Sequence, residues 1–221
     1  MASLPDYTGC AVLLVAAGSG RRFGAPKLGT ELMGKTILQR SAEAFRDFPQ
    51  RVVILRKDEG AQTDLPGWTV TAGGATRRAS VERGMAALDE TAQIVLVHDA
   101  ARPLVSREVI DRVVETARRH GTAVPTVPLS DTVKRVEGDR VVEHLDRDSL
   151  AAVQTPQGFS RQLLADALAA SPADATDDSS LVEAVGKAVT LVPGDPKNLK
   201  ITRREDLAVA EAYLRFDVSE C

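Results

Sequence analysis

Apolar and polar positions along this chain fall into two rhythms. Short unbroken apolar runs mark strands covered on both faces, and a spacing of three or four residues marks amphipathic helices. The first run, Ala11–Ala17, breaks into a loop that turns basic through Gly18, Gly20, Arg21, Arg22, Gly24 and Lys27. Lys35–Asp47 then sets Ile37, Leu38, Ala42 and Phe45 at helical spacing. Arg51–Arg56 predicts a strand, and a brief strand is expected at Trp68–Thr71. Gly73–Gly74 interrupts the chain before a helix of about Arg77–Asp89, and Gln93–Val97 is the next buried strand, ending at His98–Asp99. Ser106 caps a helix that runs to His120 and stops at Gly121, and Thr122–Val127 is a further strand.

The order β-α-β-β-α-β-α-β predicts an α/β fold, a mostly parallel twisted sheet with helices on both faces. The texture then changes. Val133–Val136 and Arg140–Leu145 alternate apolar and charged residues around Glu137-Gly138-Asp139, the signature of a protruding β-hairpin arm. A two-stranded ribbon is marginal by itself in water, so the arm is expected to pack on something, most economically a second subunit. Helices are expected at Arg161–Ala170 and Asp178–Val185, a strand at Lys187–Leu191 and a closing helix at Arg203–Arg215. Residues 1–221 read as a single domain, with a dimerisation arm at about 132–147.

Composition narrows this picture. Apolar residues make up 43% of the 221 and aromatics only 4%, so the core should be aliphatic. A formal net charge of −3 argues against a general nucleic-acid binder, so local basic clusters matter more than the total. Two cysteines at opposite ends, Cys10 and Cys221, form no framework, and the three histidines lack metal-ligand spacing. No apolar run is long enough to span a bilayer, and the N-terminus does not read as a signal peptide. The expected location is the cytoplasm.

Ligands of open α/β sheets gather at the carboxyl ends of the strands. There, glycines open backbone N–H donors and nearby cations supply charge, so the loop after Ala11–Ala17 reads as a polyphosphate binder. Gly29–Thr36 also fits GxxxxGK[ST], but a basic loop rather than a buried strand precedes it, and Leu32 and Met33 fill its interior. Gly18-Ser19-Gly20 opens a GxGxxG whose third glycine is replaced by Phe23, which removes a dinucleotide site. His98–Pro103, HDAARP, follows a central strand. Asp99 there is a candidate Mg²⁺ ligand, Arg102 a phosphate or loop partner, and His98 a structural hydrogen-bonder rather than a base.

Taken in order, AAGSGRR with PK, GG-x-x-R-x-x-S, VLVHDAARP, DTVKR, DR, TPQ and NLKIT resemble the 2-C-methyl-D-erythritol 4-phosphate cytidylyltransferase family, from about Cys10 to Tyr213. VLVHDAARP is the specific element, whereas AAGxGxR is shared by many sugar nucleotidyltransferases. The resemblance implies a Rossmann-like nucleotidyltransferase fold, a homodimer joined through the arm, Mg²⁺ dependence, and CMP transfer from CTP to methylerythritol phosphate with release of pyrophosphate. By the same resemblance Ala16, Ala17, Gly74 and Ser80 would hold the cytosine, with Gly18, Ser19 and Gly20 near the triphosphate. Arg77, Asp99 and Ala100 would complete the CTP site, Asp99 also holding the metal. Arg22 and Lys27 would stabilise charge on the α-phosphate, and Arg147 and Lys200 would position the acceptor phosphate. Arg102, Thr132, Thr155 and Thr176 would line the acceptor pocket, partly across the subunit boundary.

Such chemistry needs no general base, because a phosphate monoester with a second pKa of about 6 is largely dianionic at neutral pH. The obstacle is repulsion between two anions, which fixed cations offset. Two departures stand out. Ala75 replaces the acidic residue that often follows the double glycine, and Leu28–Gly29 stand where Gln and an aromatic are common. The alternatives are a cytidylyltransferase for another polyol phosphate, such as ribitol 5-phosphate, and a non-catalytic nucleotide-binding module.

Overall fold

The computed structural model describes residues 6–18, 23, 27–56, 65–170 and 177–219, the last three without their side chains. The chain opens with β1 (Cys10–Val15) and a small hairpin of β2 (Glu31–Leu32) and β3 (Lys35–Thr36), followed by α1 (Ile37–Glu43). Next come β4 (Gln50–Leu55), β5 (Thr69–Ala72), α2 (Arg77–Ala86), β6 (Ile94–Asp99), α3 (Arg107–His120) and β7 (Thr122–Pro128). The arm is β8 (Val133–Glu137) and β9 (Arg140–Leu145). The chain finishes with β10 (Ala151–Val153), β11 (Gln157–Ser160), α4 (Arg161–Ala170), α5 (Ser179–Ala184), β12 (Leu191–Pro193) and α6 (Glu205–Ser219).

The central sheet has the order β10-β7-β11-β6-β1-β4-β5, with β12 beside β7. β1, β4, β5 and β6 run parallel, as does β12 with β7, whereas β11 and β10 are antiparallel to their neighbours. Strand alternation divides the core. Ala11 and Leu13 of β1, with Val95 and Val97 of β6, face the layer of α2, α4 and α5. Cys10 and Val12, with Ile94 and Leu96, face α3, Phe45 and Phe48. Leu14 meets α1, and α6 covers a separate cluster around Leu32, Ile37 and Ile201.

Several expectations shift at their edges. The first helix starts only at Ile37, because Thr36 and Gln39 close a reciprocal capping box while Lys35 stays in the β2–β3 hairpin. That hairpin also disposes of the Gly29–Thr36 pattern, since Lys35 Nζ pairs with Glu43 at 2.5 Å. α3 occupies its predicted span, ending at Gly121 with φ +78°, a conformation that glycine adopts without penalty. The strand expected at Lys187–Leu191 begins instead at Leu191. Before it, the Thr190 N–H donates to the Thr122 hydroxyl rather than to a ladder carbonyl. β11 has no strand pattern in its sequence. It is imposed by β6 and β7 on either side, and Gly158 lets α3 approach closely: a Cβ there would lie 2.8 Å from Val113 Cγ1.

Candidate active site

β1 and β6 finish level with each other, Val15 opposite Asp99. Their following loops are stitched to neighbouring strands by main-chain bonds. The Ala100 N–H donates to Val15 O at 3.0 Å, Ala16 N–H to Ile54 O at 2.8 Å, and Gly73 N–H to Leu55 O at 2.7 Å. Ser41, fully buried, donates to Ala100 O at 2.7 Å. The double glycine sits hard against the first loop. A Cβ on Gly73 would come within 2.5 Å of Ala17 Cβ, and one on Gly74 within 2.4 Å of Ala79 Cβ. Buried Ser80 accepts the Gly74 N–H at 3.0 Å and donates to Thr76 O at 2.8 Å, which fixes the turn.

Asp99 is the centre of charge. Arg77 Nη1 meets its Oδ1 at 2.7 Å, Lys200 Nζ meets its Oδ2 at 2.7 Å, and Arg102 Nε lies 4.0 Å from Oδ2. Burial pushes the Asp99 carboxyl up, but Arg77 and Lys200 outweigh that and hold it far below the usual carboxylate range. Arg77 is shared: its Nε and Nη2 both reach Asp178 Oδ2, at 3.1 and 2.7 Å. Burial lowers the guanidinium's affinity for its proton, but the two carboxylates reverse this and raise it. The run 198–201 is tied to the loop after β6 through Arg102 Nη1 to Asn198 O at 2.8 Å and Ile201 N–H to Ala101 O at 2.8 Å. Lys27 Nζ donates to Ile201 O at 2.9 Å, which sets it beside the residue that follows Lys200.

Behind Asp99, fully buried His98 faces the Phe45 ring, with centroids 4.9 Å apart. The Asp99 N–H donates to Thr155 Oγ1 at 3.0 Å, and that hydroxyl lies 3.1 Å from His98 Nδ1. The hydroxyl then donates to Nδ1, leaving Nε2–H to donate to Arg102 O at 3.1 Å. Burial lowers the imidazole pKa to about 4, so it is neutral at physiological pH and both nitrogens are occupied. The arrangement gathers Arg77, Arg102 and Lys200 around one ionised carboxylate.

The family model for 2-C-methyl-D-erythritol 4-phosphate cytidylyltransferase matches residues 10–216. The enzyme of that name from Frankia casuarinae is 44% identical over 214 residues, covering 92% of this chain and 80% of the relative. The chain belongs to the 2-C-methyl-D-erythritol 4-phosphate cytidylyltransferase family. The crystal structure of that name from Thermus thermophilus superposes with a TM-score of 0.81 at 40% identity, covering 93% of this chain and 98% of the other. The chain also matches a bifunctional enzyme IspD/IspF of Anaeromyxobacter dehalogenans at 43% identity, spanning 57% of that relative's length. The α/β nucleotidyltransferase fold expected from the motifs is thereby shown.

Within this family member, the structure gathers Arg77, Asp99, Ala100, Arg102, Thr155 and Lys200 at one end of the sheet, with Lys27 adjoining. Ala17, Gly74 and Ser80 pack together beside it around Gly73, with Ala16 buried next to Ala17 and Gly18 open to solvent. Arg147 and Thr132 stand apart at the base of the arm. Arg147 Nη1 donates to Ser130 O at 2.7 Å with its side chain half exposed, and Thr132 is exposed. Ser19, Gly20, Arg22 and Thr176 lie outside the described residues. Sequence reasoning missed Asp178, which read as the start of a helix. Its Oδ1 is buried with no hydrogen-bond partner among the described residues, and burial raises its pKa despite Arg77. The one local signal was the doubled acid, Asp177-Asp178, of which Asp177 does the capping of Ser180 N–H.

Proposed function

We propose that this protein transfers CMP from CTP to 2-C-methyl-D-erythritol 4-phosphate, releasing pyrophosphate, as a Mg²⁺-dependent cytoplasmic homodimer. The observation that carries the reading is Asp99, ionised at the end of β6 between Arg77 and Lys200, in a chain of this family. An oxygen of the acceptor's phosphate dianion attacks the α-phosphorus of CTP. The bond from that phosphorus to the β-bridging oxygen breaks, and its electrons leave with pyrophosphate. No proton has to be removed, which agrees with a histidine that is neutral and fully engaged.

The residues present fit a magnesium ion. Asp99 offers ionised hard oxygens at the end of β6. Mg²⁺ asks for one or two carboxylates and takes the rest of its shell from phosphates and water, so no larger ligand set is needed. Bound by Asp99, it supplies Lewis-acid neutralisation of the triphosphate. In this reading Lys27 and Arg22 stabilise charge growing on the α-phosphate, and Lys200 and Arg147 orient the acceptor phosphate. The wall of Ala16, Ala17, Gly74 and Ser80 takes the cytosine, with Gly18, Ser19 and Gly20 along the phosphates and Ala100 near the ribose. Arg102, Thr132, Thr155 and Thr176 line the acceptor pocket. Arg147 and Thr132 stand at the base of an arm whose Val136, Val141 and Val142 are exposed, which supports a partner subunit completing that pocket.

Among the described residues no helix is long and apolar enough to cross a membrane. The deciding assay incubates purified protein with CTP, Mg²⁺ and methylerythritol phosphate and follows products by ³¹P NMR. Equimolar pyrophosphate and cytidine diphosphate ester are expected, with ribitol 5-phosphate the poorer substrate in competition. Absence of pyrophosphate under these conditions overturns the reading.

A further inference from the structure

Arg77 divides itself unevenly between two carboxylates. One nitrogen holds Asp99 Oδ1, while Nε and Nη2 crowd onto the single oxygen Oδ2 of Asp178. Asp178 Oδ1 is buried and receives nothing from the described residues, although its own carboxylate is already gripped on the other side. A guanidinium fork satisfies a carboxylate best when it gives one N–H to each oxygen. The pair is therefore under-filled, and a small rotation of Arg77 away from Asp99 would complete it. A divalent cation and a guanidinium on the same carboxylate oxygen repel each other, so any cation bound at Asp99 favours that rotation.

We propose that Arg77 is a placeholder cation on Asp99 and that Asp178 is its second berth, a positioning residue that draws Arg77 aside when a divalent cation takes Asp99. Asp178 touches neither substrate nor metal in this scheme. It acts by keeping the displaced guanidinium charge-paired, so that Asp99 is relieved of one of its two close cations. Without Asp178, Asp99 would be the one carboxylate among the described residues paired with Arg77, and the guanidinium would stay clamped on it. The proposal rests on the assignment of Asp99 as the metal carboxylate.

The test titrates CTP into the full chain by calorimetry, once with excess Mg²⁺ and once in EDTA, with no acceptor present and therefore no turnover. The ratio of the two dissociation constants is the gain from the metal. Asp178→Asn should cut that gain by about 10-fold or more, the range seen when residues behind a metal ligand are lost. Arg77→Gln should increase it, because the placeholder is gone. The double variant Arg77→Gln, Asp178→Asn removes the buried pair together and should keep a gain at least equal to the natural protein's, even where Asp178→Asn alone folds poorly. A purely structural role predicts something else: lower melting temperatures with the two dissociation constants moving in step. An unchanged gain in Asp178→Asn, or a double variant with a gain about 10-fold below the natural protein's, overturns the placeholder. A natural protein with no gain from Mg²⁺ overturns the metal assignment itself, and the placeholder with it.

Discussion

The end of the sheet around Asp99 and the β8–β9 arm are built on opposite principles. Around Asp99 the carboxylate and its backbone N–H are held by residues 77, 155 and 200, with Arg102 and Asp178 close behind, and Asp99 itself is only 7% exposed. In the arm, β8 and β9 pair only with each other in the sheet, and Val136 and Val141, which face each other across it, are 58% and 62% exposed. Its charged contacts, such as Arg135 with Glu143 at 2.9 Å, are solvent-washed and contribute at most about 1 kcal/mol. The first region is held together by contacts within one chain. The second leaves apolar side chains in water and has Arg147 and Thr132 at its base.

The strongest way to break this contrast is to remove a cation from the sheet end. Lys200→Ala should lower kcat/KM on the order of 10²–10³-fold, the scale for losing one preorganised charge at a reacting phosphate, with steady-state kinetics as the check. Its partner Asp99 is buried, so a lower melting temperature is expected beside the kinetic loss. In the arm the order reverses. Val141→Glu should weaken self-association by roughly 30-fold, as loss of a central apolar contact of about 2 kcal/mol would, read by sedimentation velocity. Unfolding of the domain itself should be unaffected, and turnover should fall in step with the dimer fraction.

His98 supplies a pH signature that belongs to the sheet end alone. The unfolded chain binds its proton near pH 6.5 and the native protein only near pH 4, so the unfolded state takes up the proton first as pH falls. Stability should therefore decline from pH 6.5 towards 4, by about 2 kcal/mol at pH 5 relative to pH 8, in urea titrations. His98→Asn should flatten that slope. The smallest effect expected is Ser41→Ala, which leaves Ala100 O without its buried donor and should cost about 1 kcal/mol in the same titration.

Much of the scaffold was readable because its period is local. β1 and β6 are continuous apolar runs, α3 carries both its caps, and the arm alternates around a glycine turn with φ +60° at Gly138. β11 was not readable, since Gln157 and Gly158 become strand only through the neighbours that flank them. The site divides in the same way. Asp99 announced itself by its place after a buried strand, whereas Lys200 was reached only through the family resemblance. Asp178 was not reached at all, because its partner lies 101 residues away in sequence. Convergence over such separations leaves no mark on either segment alone.

The neighbours His98 and Asp99 end β6 on opposite faces of the pleat, the ring against Phe45 and the carboxylate among cations. Sliding that strand by a single place would drive an anion into hydrocarbon and swing an aromatic ring among the cations. A misregistered molecule would thus be unstable and inert at once, so the same dipeptide that equips the enzyme also proofreads its assembly.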